Sequence, residues 1–384
     1  MPVKRRLAFV FPGFEAMPVA AHRARFIREA RKTAPVYGMD LEIGEGRLRD
    51  GPISMAEFPV LASGENWRTE TEIVIFGLAD LSARYAARNP AARVAAGLVA
   101  LGDFLISGAF LRFLATSWRY GLFFAYPLAL LALSAGVAFA IGAVLPLHFG
   151  FQAAIAAALF VALLWAASAR LHFLLMMDDW AFARDMVRER RPEFGETLAA
   201  LSKEIEARIG RTQADEVLFA AHSFGAISAI FCLADLLPGG RGMPPTGLLT
   251  AGSSLLKAAL HPAAARLREA VAAVANGSVA WLDVQSLTDP MNFYRSNPAG
   301  SLGIACSHPP KVTRIRFRHQ LTPATYRAIK RNFFRVHRQF VYAVEKRSDY
   351  SFHAILCGPE PFADVAKRGG LAQTWPADAA PCAA

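Results

Sequence analysis

Two long stretches without a charged side chain limit what this chain can fold into. From Gly121 to Leu145 (GLFFAYPLALLALSAGVAFAIGAVL), and again from Phe151 to Ala169, no Asp, Glu, Lys or Arg occurs. A helix crosses a hydrocarbon core in roughly 20 residues, whereas helices of soluble proteins usually run about 8–20 residues and keep a polar stripe. Both stretches are therefore read as membrane spans, joined through Pro146–Gly150 into a hairpin. Ala129, Ala132, Ser134, Gly136, Ala153, Ala154 and Ala157 supply small surfaces on which two helices can approach closely. With no ionisable residue in mid-span, a channel or transporter is not expected.

These runs explain a chain of 384 residues that is 54% hydrophobic and 19% charged, against about 45–50% and about 25% in soluble proteins. Lys plus Arg number 42 and Asp plus Glu 31, a net charge of +11. Arg112 and Arg119 precede the first span, Arg170, Arg184, Arg188, Arg190 and Arg191 follow the second, and the connection has neither Lys nor Arg. The positive-inside rule then puts both termini in the cytoplasm and the protein in the inner or plasma membrane. The arginines read as a collar for a lipid bilayer; no nucleic-acid-binding motif accompanies them, so no nucleic-acid partner is expected. From Ser82 to Tyr120, Arg84, Arg88, Arg93 and Arg112 are interleaved with Leu98, Leu101, Phe104, Leu105, Phe110, Leu111 and Phe113. This reads as an amphipathic helix on the inner surface, with a core-facing helix as the alternative.

Outside the hairpin the pattern alternates. Short apolar strands fall at Leu7–Phe11, Thr71–Phe76, Glu216–Ala221, Gly247–Ala251, Val279–Val284 and Val312–Phe317, with helical periodicity at Val19–Lys32, Glu193–Ile209, Ala226–Leu237 and Pro262–Asn276. Such alternation predicts an α/β class with a mostly parallel sheet flanked by helices. The basic residues Lys4–Arg6 ahead of LAFVFPGF imitate a signal peptide, but Pro12, Gly13 and Glu15 end the apolar run too early, and a buried strand with a turn fits better. Cys232, Cys306, Cys357 and Cys382 are scattered, without metal-binding spacing; no metal or cofactor is expected.

The junction EVLFAAHSFGAISAIF runs a strand into a helix through Ala221-His222-Ser223-Phe224-Gly225. A serine on a strained strand-to-helix turn needs small neighbours, and its helix start can aim the Phe224 amide at a developing oxyanion. A serine capping an ordinary helix would give the same five residues. In its placement the junction resembles the G-x-S-x-G nucleophile elbow of the α/β-hydrolase fold, in the lipase and esterase group, with alanine at the first glycine as some lipases have. The resemblance covers Leu7–Glu15 and roughly Glu216–Pro359, and the membrane hairpin lies outside it.

The resemblance implies further roles. FVFPGFE matches the loop that supplies the second oxyanion donor, making the Phe14 amide the candidate, with Gly13 shaping the turn; Pro12 stands where histidine is common. The family order of serine, acid and histidine makes Asp289 the preferred acid over Asp283, which lies inside a strand pattern. His337, in NFFRVHRQF, is the preferred histidine; His353 and His319 stay open, and a continuous helix over Ala324–Lys346 would leave His337 on the surface. The expected organisation is an N-terminal part of the hydrolase sheet (1–81), a membrane-surface segment (82–120), the hairpin (121–177), the C-terminal part with the elbow (178–365) and a disordered tail (366–384). The implied function is a membrane-anchored serine ester hydrolase acting on lipid or other small acyl esters, with acyl transfer to another alcohol as a variant. The alternative is an inactive membrane-anchored scaffold on the same fold.

Overall fold

The computed structural model describes residues 1–51, 53–239 and 243–375. Among them the strands are β1 (Arg5–Phe11), β2 (Asp40–Ile43), β3 (Arg47–Arg49), β4 (Ser54–Gly64), β5 (Trp67–Gly77), β6 (Glu216–His222), β7 (Thr246–Ala251), β8 (Val279–Ser286) and β9 (Lys311–Ile315). They form one sheet in the order β2-β4-β5-β1-β6-β7-β8-β9, with β3 added to β4. β5, β1, β6, β7, β8 and β9 run parallel to one another, while β4 is antiparallel to β5, and β2 and β3 are antiparallel to β4. The sheet is thus mixed but mostly parallel, as the alternating pattern predicts.

Leu7–Phe11 is apolar without alternation because β1 is buried on both faces at the centre of the sheet. Phe11 meets Phe76 of β5 at 5.1 Å, and Phe9 meets Phe219 of β6 at 5.3 Å. Every nitrogen of Arg6, the one polar side chain buried in β1, has an acceptor: Nε donates to Glu216 at 2.6 Å, and its other nitrogens donate to the carbonyls of Leu356, Gly358 and Glu360 at 2.8–2.9 Å. The chain starts in the middle of the sheet, builds to one side as far as β5, then returns to lay β6 on the other flank of β1. Open α/β sheets have their crevices beyond the carboxyl ends of the strands at such a switch point.

The helices are α1 (Val19–Thr33), α2 (Ala79–Ala86), α3 (Pro90–Ile106), α4 (Ala109–Thr116), α5 (Trp118–Phe124), α6 (Tyr126–Val144), α7 (Phe149–Leu171), α8 (Phe173–Val187) and α9 (Pro192–Ile209). After β6 come α10 (Gly225–Leu236), α11 (Leu255–Ala259), α12 (Ala265–Asn276), α13 (Phe317–Gln320), α14 (Pro323–Ile329), α15 (Phe333–Arg338), α16 (Phe352–Cys357) and α17 (Phe362–Arg368). Residues of α3, α8, α9, α10 and α12 build the core on one face of the sheet, and those of α1, α16 and α17 the core on the other.

Helices α6 and α7 are long and apolar enough to cross a membrane. They pack through Ser134, Ala138 and Gly142, the buried stripe of α6, and a side chain at Gly142 would come within 2.9 Å of the Ala156 Cβ. Gly136, expected at this contact, has open space around it.

Four expectations need correction. Residues 82–120 form four short helices, α2–α5, because Asn89-Pro90, Ser107-Gly108 and Ser117 break the pattern. Their Leu101, Phe104, Phe113 and Tyr120 are buried, while Leu98, Leu105, Leu111 and Trp118 are exposed, so core-facing and outward apolar faces coexist. The hairpin ends at Leu171: His172 takes a left-handed conformation (φ 57°), and residues 173–177 belong to the buried helix α8. Residues 366–375 are folded, completing α17 and burying Leu371 and Trp375; the rest of the expected tail lies outside the described residues. The arginine collar is largely spent on protein partners. Arg112 and Arg119 donate to the Leu260 and Leu287 carbonyls, Arg184 and Arg188 pair with Asp103, and Arg191 pairs with Asp185.

Candidate active site

The loops that follow β1 and β6 meet at the switch point. Ser223 takes a left-handed backbone conformation (φ 55°), uncommon for a residue with a Cβ. Two glycines beside it are small by necessity. A side chain at Gly225 would collide with the carbonyl oxygens of Phe11 and Pro12, and one at Gly13 would come within 2.8 Å of the Ser223 Cβ. Phe14 and Phe224 therefore flank Ser223, with ring centroids 5.9 Å apart. Among the described residues neither of their amides donates a hydrogen bond.

Asp289 sits in the loop after β8. Asn292 pins that loop, accepting from the Ser286 amide at 3.1 Å and donating to the carbonyls of Ser286 and Asp289 at 2.9 and 2.6 Å. One Asp289 oxygen accepts the Met291 amide at 2.9 Å, and the other lies 2.8 Å from Nδ1 of His337. His337 is buried on α15; the continuous helix considered over Ala324–Lys346 is interrupted, and Asn332 caps α15 by accepting from the Arg335 amide at 3.0 Å. Nε2 of His337 is buried without a hydrogen-bond partner among the described residues, and His337 lines the same cavity as Gly13, Phe14, Ser223 and Phe224.

The other candidates are elsewhere. Asp283 is enclosed in β8, accepting from Thr250 at 2.5 Å and Gln285 at 2.8 Å, and burial pushes its carboxyl up to about 6. His353 lines a second small cavity behind His222; burial holds it at about 3. His319 is exposed beside Arg318.

Several site residues carried no sequence signal that singled them out. Ser254 places its hydroxyl 3.2 Å from that of Ser223 and donates its amide to the Ser223 carbonyl at 3.1 Å. The His222 ring lies 4.6 Å from that of His337 and donates through Nε2 to the His337 carbonyl at 3.1 Å. Glu15, one residue past the Phe14 turn, pairs with Arg25 and Arg338, each at 2.8 Å. Burial alone would raise its carboxyl, but the two guanidinium charges hold it at about 2. Helix α8 roofs the cavity with Leu175, Met176 and Asp179, and Asp179 is paired with buried Lys257 of α11. The charge that ends the apolar run at Glu15 was the one legible hint of this polar surround.

The cavity measures about 20 Å³, room for about one water molecule. No group of three or more His, Cys, Asp or Glu among the described residues could hold a metal ion. The arrangement offers a hydroxyl, an imidazole oriented by a carboxylate, and two amides without partners, the parts used in nucleophilic acyl transfer. The chain matches no protein-family model, no curated protein and no solved structure.

Proposed function

We propose that this chain is a membrane-anchored serine hydrolase that cleaves carboxylic esters of acyl chains through Ser223, His337 and Asp289. One observation carries the reading: Asp289 holds Nδ1 of His337 at 2.8 Å, Nε2 has no hydrogen-bond partner among the described residues, and His337 lines the same cavity as Ser223. Ser223 attacks the ester carbonyl and passes its proton to Nε2 of His337, whose cation Asp289 stabilises. The oxyanion is met by the amides of Phe14 and Phe224. The alcohol leaves with the proton from His337, and water, activated by the same imidazole, releases the acid from the acyl-enzyme. An alcohol entering in place of water would make the same centre an acyltransferase.

The hairpin of α6 and α7 is the anchor, in the inner or plasma membrane with both termini cytoplasmic; the absence of Lys and Arg from its connection supports that orientation. Substrates are lipid or other acyl esters, and no nucleic acid is involved.

A second reading, a catalytically inactive scaffold, is favoured by the Ser223 hydroxyl bonding to Ser254 at 3.2 Å with no bond to His337. Catalytic hydrogen bonds commonly tighten only once substrate is bound, so we prefer the enzyme. Labelling with a fluorophosphonate probe decides between them: the detergent-extracted protein is expected to be labelled and the Ser223→Ala variant not. Equal labelling of both would sink the assignment of Ser223, and no labelling of either would favour the scaffold.

A further inference from the structure

We infer that the ester reaches Ser223 from the bilayer, through the foot of the hairpin, and that the substrate is a lipid-phase ester whose carbonyl lies at headgroup depth. The inference rests on the serine hydrolase reading and adds to it a route and a substrate class.

The first support is position along the chain. Span α7 ends at Leu171, and Leu175 and Met176 already line the catalytic cavity. At about 1.5 Å per residue, only one turn or a little more of α8 separates the end of the span from the cavity wall.

The second support is α15, which carries His337. Phe333, four residues before His337, lies 5.3 Å from Phe123 and 5.6 Å from Tyr126, at the start of span α6. Phe334 lies 4.4 Å from His172, at the end of span α7, and also lines the cavity. The short helix holding the imidazole is therefore wedged against the base of both spans.

The third support is the division of the wall. Leu175, Met176 and Phe334, next to the hairpin, are apolar, whereas Glu15, Asp179 and Arg338 are polar. The polar side is fixed by ion pairs, Glu15 with Arg25 and Arg338 and Asp179 with Lys257. A cavity of about 20 Å³ must open to admit an ester. Unpaired Met, Leu and Phe side chains move at far smaller cost than buried ion pairs, so the opening lies on the hairpin side. A membrane-resident ester fits such a wall, with its acyl chain towards the spans and its polar end towards Glu15 and Arg338.

The test uses the full chain reconstituted in phosphatidylcholine vesicles. Turnover of a long-chain fluorogenic ester dissolved in the bilayer is compared with that of a water-soluble butyrate ester of the same fluorophore. At least a tenfold higher turnover of the bilayer ester is expected, and Leu175→Arg should lower the ratio of the two at least tenfold. A preference for the soluble ester, or a ratio unmoved by Leu175→Arg, overturns the route. A second measurement needs no variant: a phosphatidylcholine with a photoreactive acyl chain should crosslink to residues 175–176 and 334. Crosslinks absent there but present on α6 and α7 also overturn it. Fluorophosphonate labelling of the same vesicles separates the failures: labelling without bilayer preference rejects the route alone, whereas no labelling rejects the serine reading beneath it.

Discussion

Oδ2 of Asp289 lies 2.8 Å from Nδ1 of His337, tying the loop after β8 to a helix 48 residues farther along the chain. Asp289→Asn keeps a side chain of the same shape but sets the imidazole in the wrong tautomer, and kcat should fall by about 10,000-fold. Asp283→Asn should behave in the opposite way. It confronts the Gln285 amide with another donor, costing about 1–3 kcal/mol of stability, while kcat of the folded protein stays close to that of the unsubstituted chain. Ester turnover and thermal unfolding, measured on both variants in detergent, check the pair of outcomes.

The left-handed turn at Ser223 (φ 55°) gives a stability prediction that runs against ordinary expectation. Glycine normally costs about 0.5–1 kcal/mol relative to alanine in regular structure, but a residue with a Cβ pays about 1–2 kcal/mol in this conformation. Both Ser223→Gly and Ser223→Ala lose the hydroxyl. The glycine variant should nevertheless unfold about 1 kcal/mol later than the alanine variant; the reverse order in chemical denaturation would count against a strained elbow.

Acid should destabilise the protein well above the carboxylate range. Burial and then the Arg25 charge hold His22 at about 4, and burial holds His353 at about 3. The unfolded chain takes up these protons near pH 6.5 and the native chain does not. Stability is therefore fully present above that pH and falls as the pH drops towards about 4 and then 3. Each histidine contributes a slope of about 1.4 kcal/mol per pH unit inside its window. Unfolding midpoints between pH 7.5 and 4.5 should decline, and His22→Phe should flatten the curve; a midpoint independent of pH would contradict this.

The buried pair of Asp179 on α8 and Lys257 on α11 latches the roof to the body of the protein. Burial draws the Lys257 ammonium below its usual range, and Asp179 only partly offsets it. Lys257→Met should cost about 3–5 kcal/mol by stranding the carboxylate, and adding Asp179→Leu should restore most of it. Thermal unfolding of the single and double variants reads out this coupling.

What was legible in the sequence was local. The strand at Leu7–Phe11, the strand-turn-helix around Ser223 and the two long apolar helices are each fixed by a continuous apolar run or by small residues where backbones touch. The antiparallel extension β2–β4 leaves no such run, because Glu57 and Pro59 interrupt the apolar pattern of a strand whose outward positions they occupy. The helices between 82 and 120 read as one in the sequence because their apolar spacing continues across breaks made by single residues such as Gly108. Asp289 and His337 could be paired only through the resemblance to the hydrolase order, since 48 residues and a short capped helix separate them. The roof was beyond reach for the same reason: that Asp179 and Lys257 meet depends on how α8 returns from the hairpin, which no spacing encodes.

Arg6 has a consequence for the order of synthesis. Its guanidinium is buried in β1, yet its partners are Glu216 and the carbonyls of Leu356, Gly358 and Glu360. A nascent chain that ends before residue 360 holds this cation without its full set of acceptors, and a buried charge so placed opposes closure of the sheet. Both long apolar helices, encoded between residues 126 and 171, leave the ribosome long before that. Gly13 and Ser223 can thus be clamped together only in a polypeptide that already carries both long apolar helices, so the centre is the last part of the sheet to be secured.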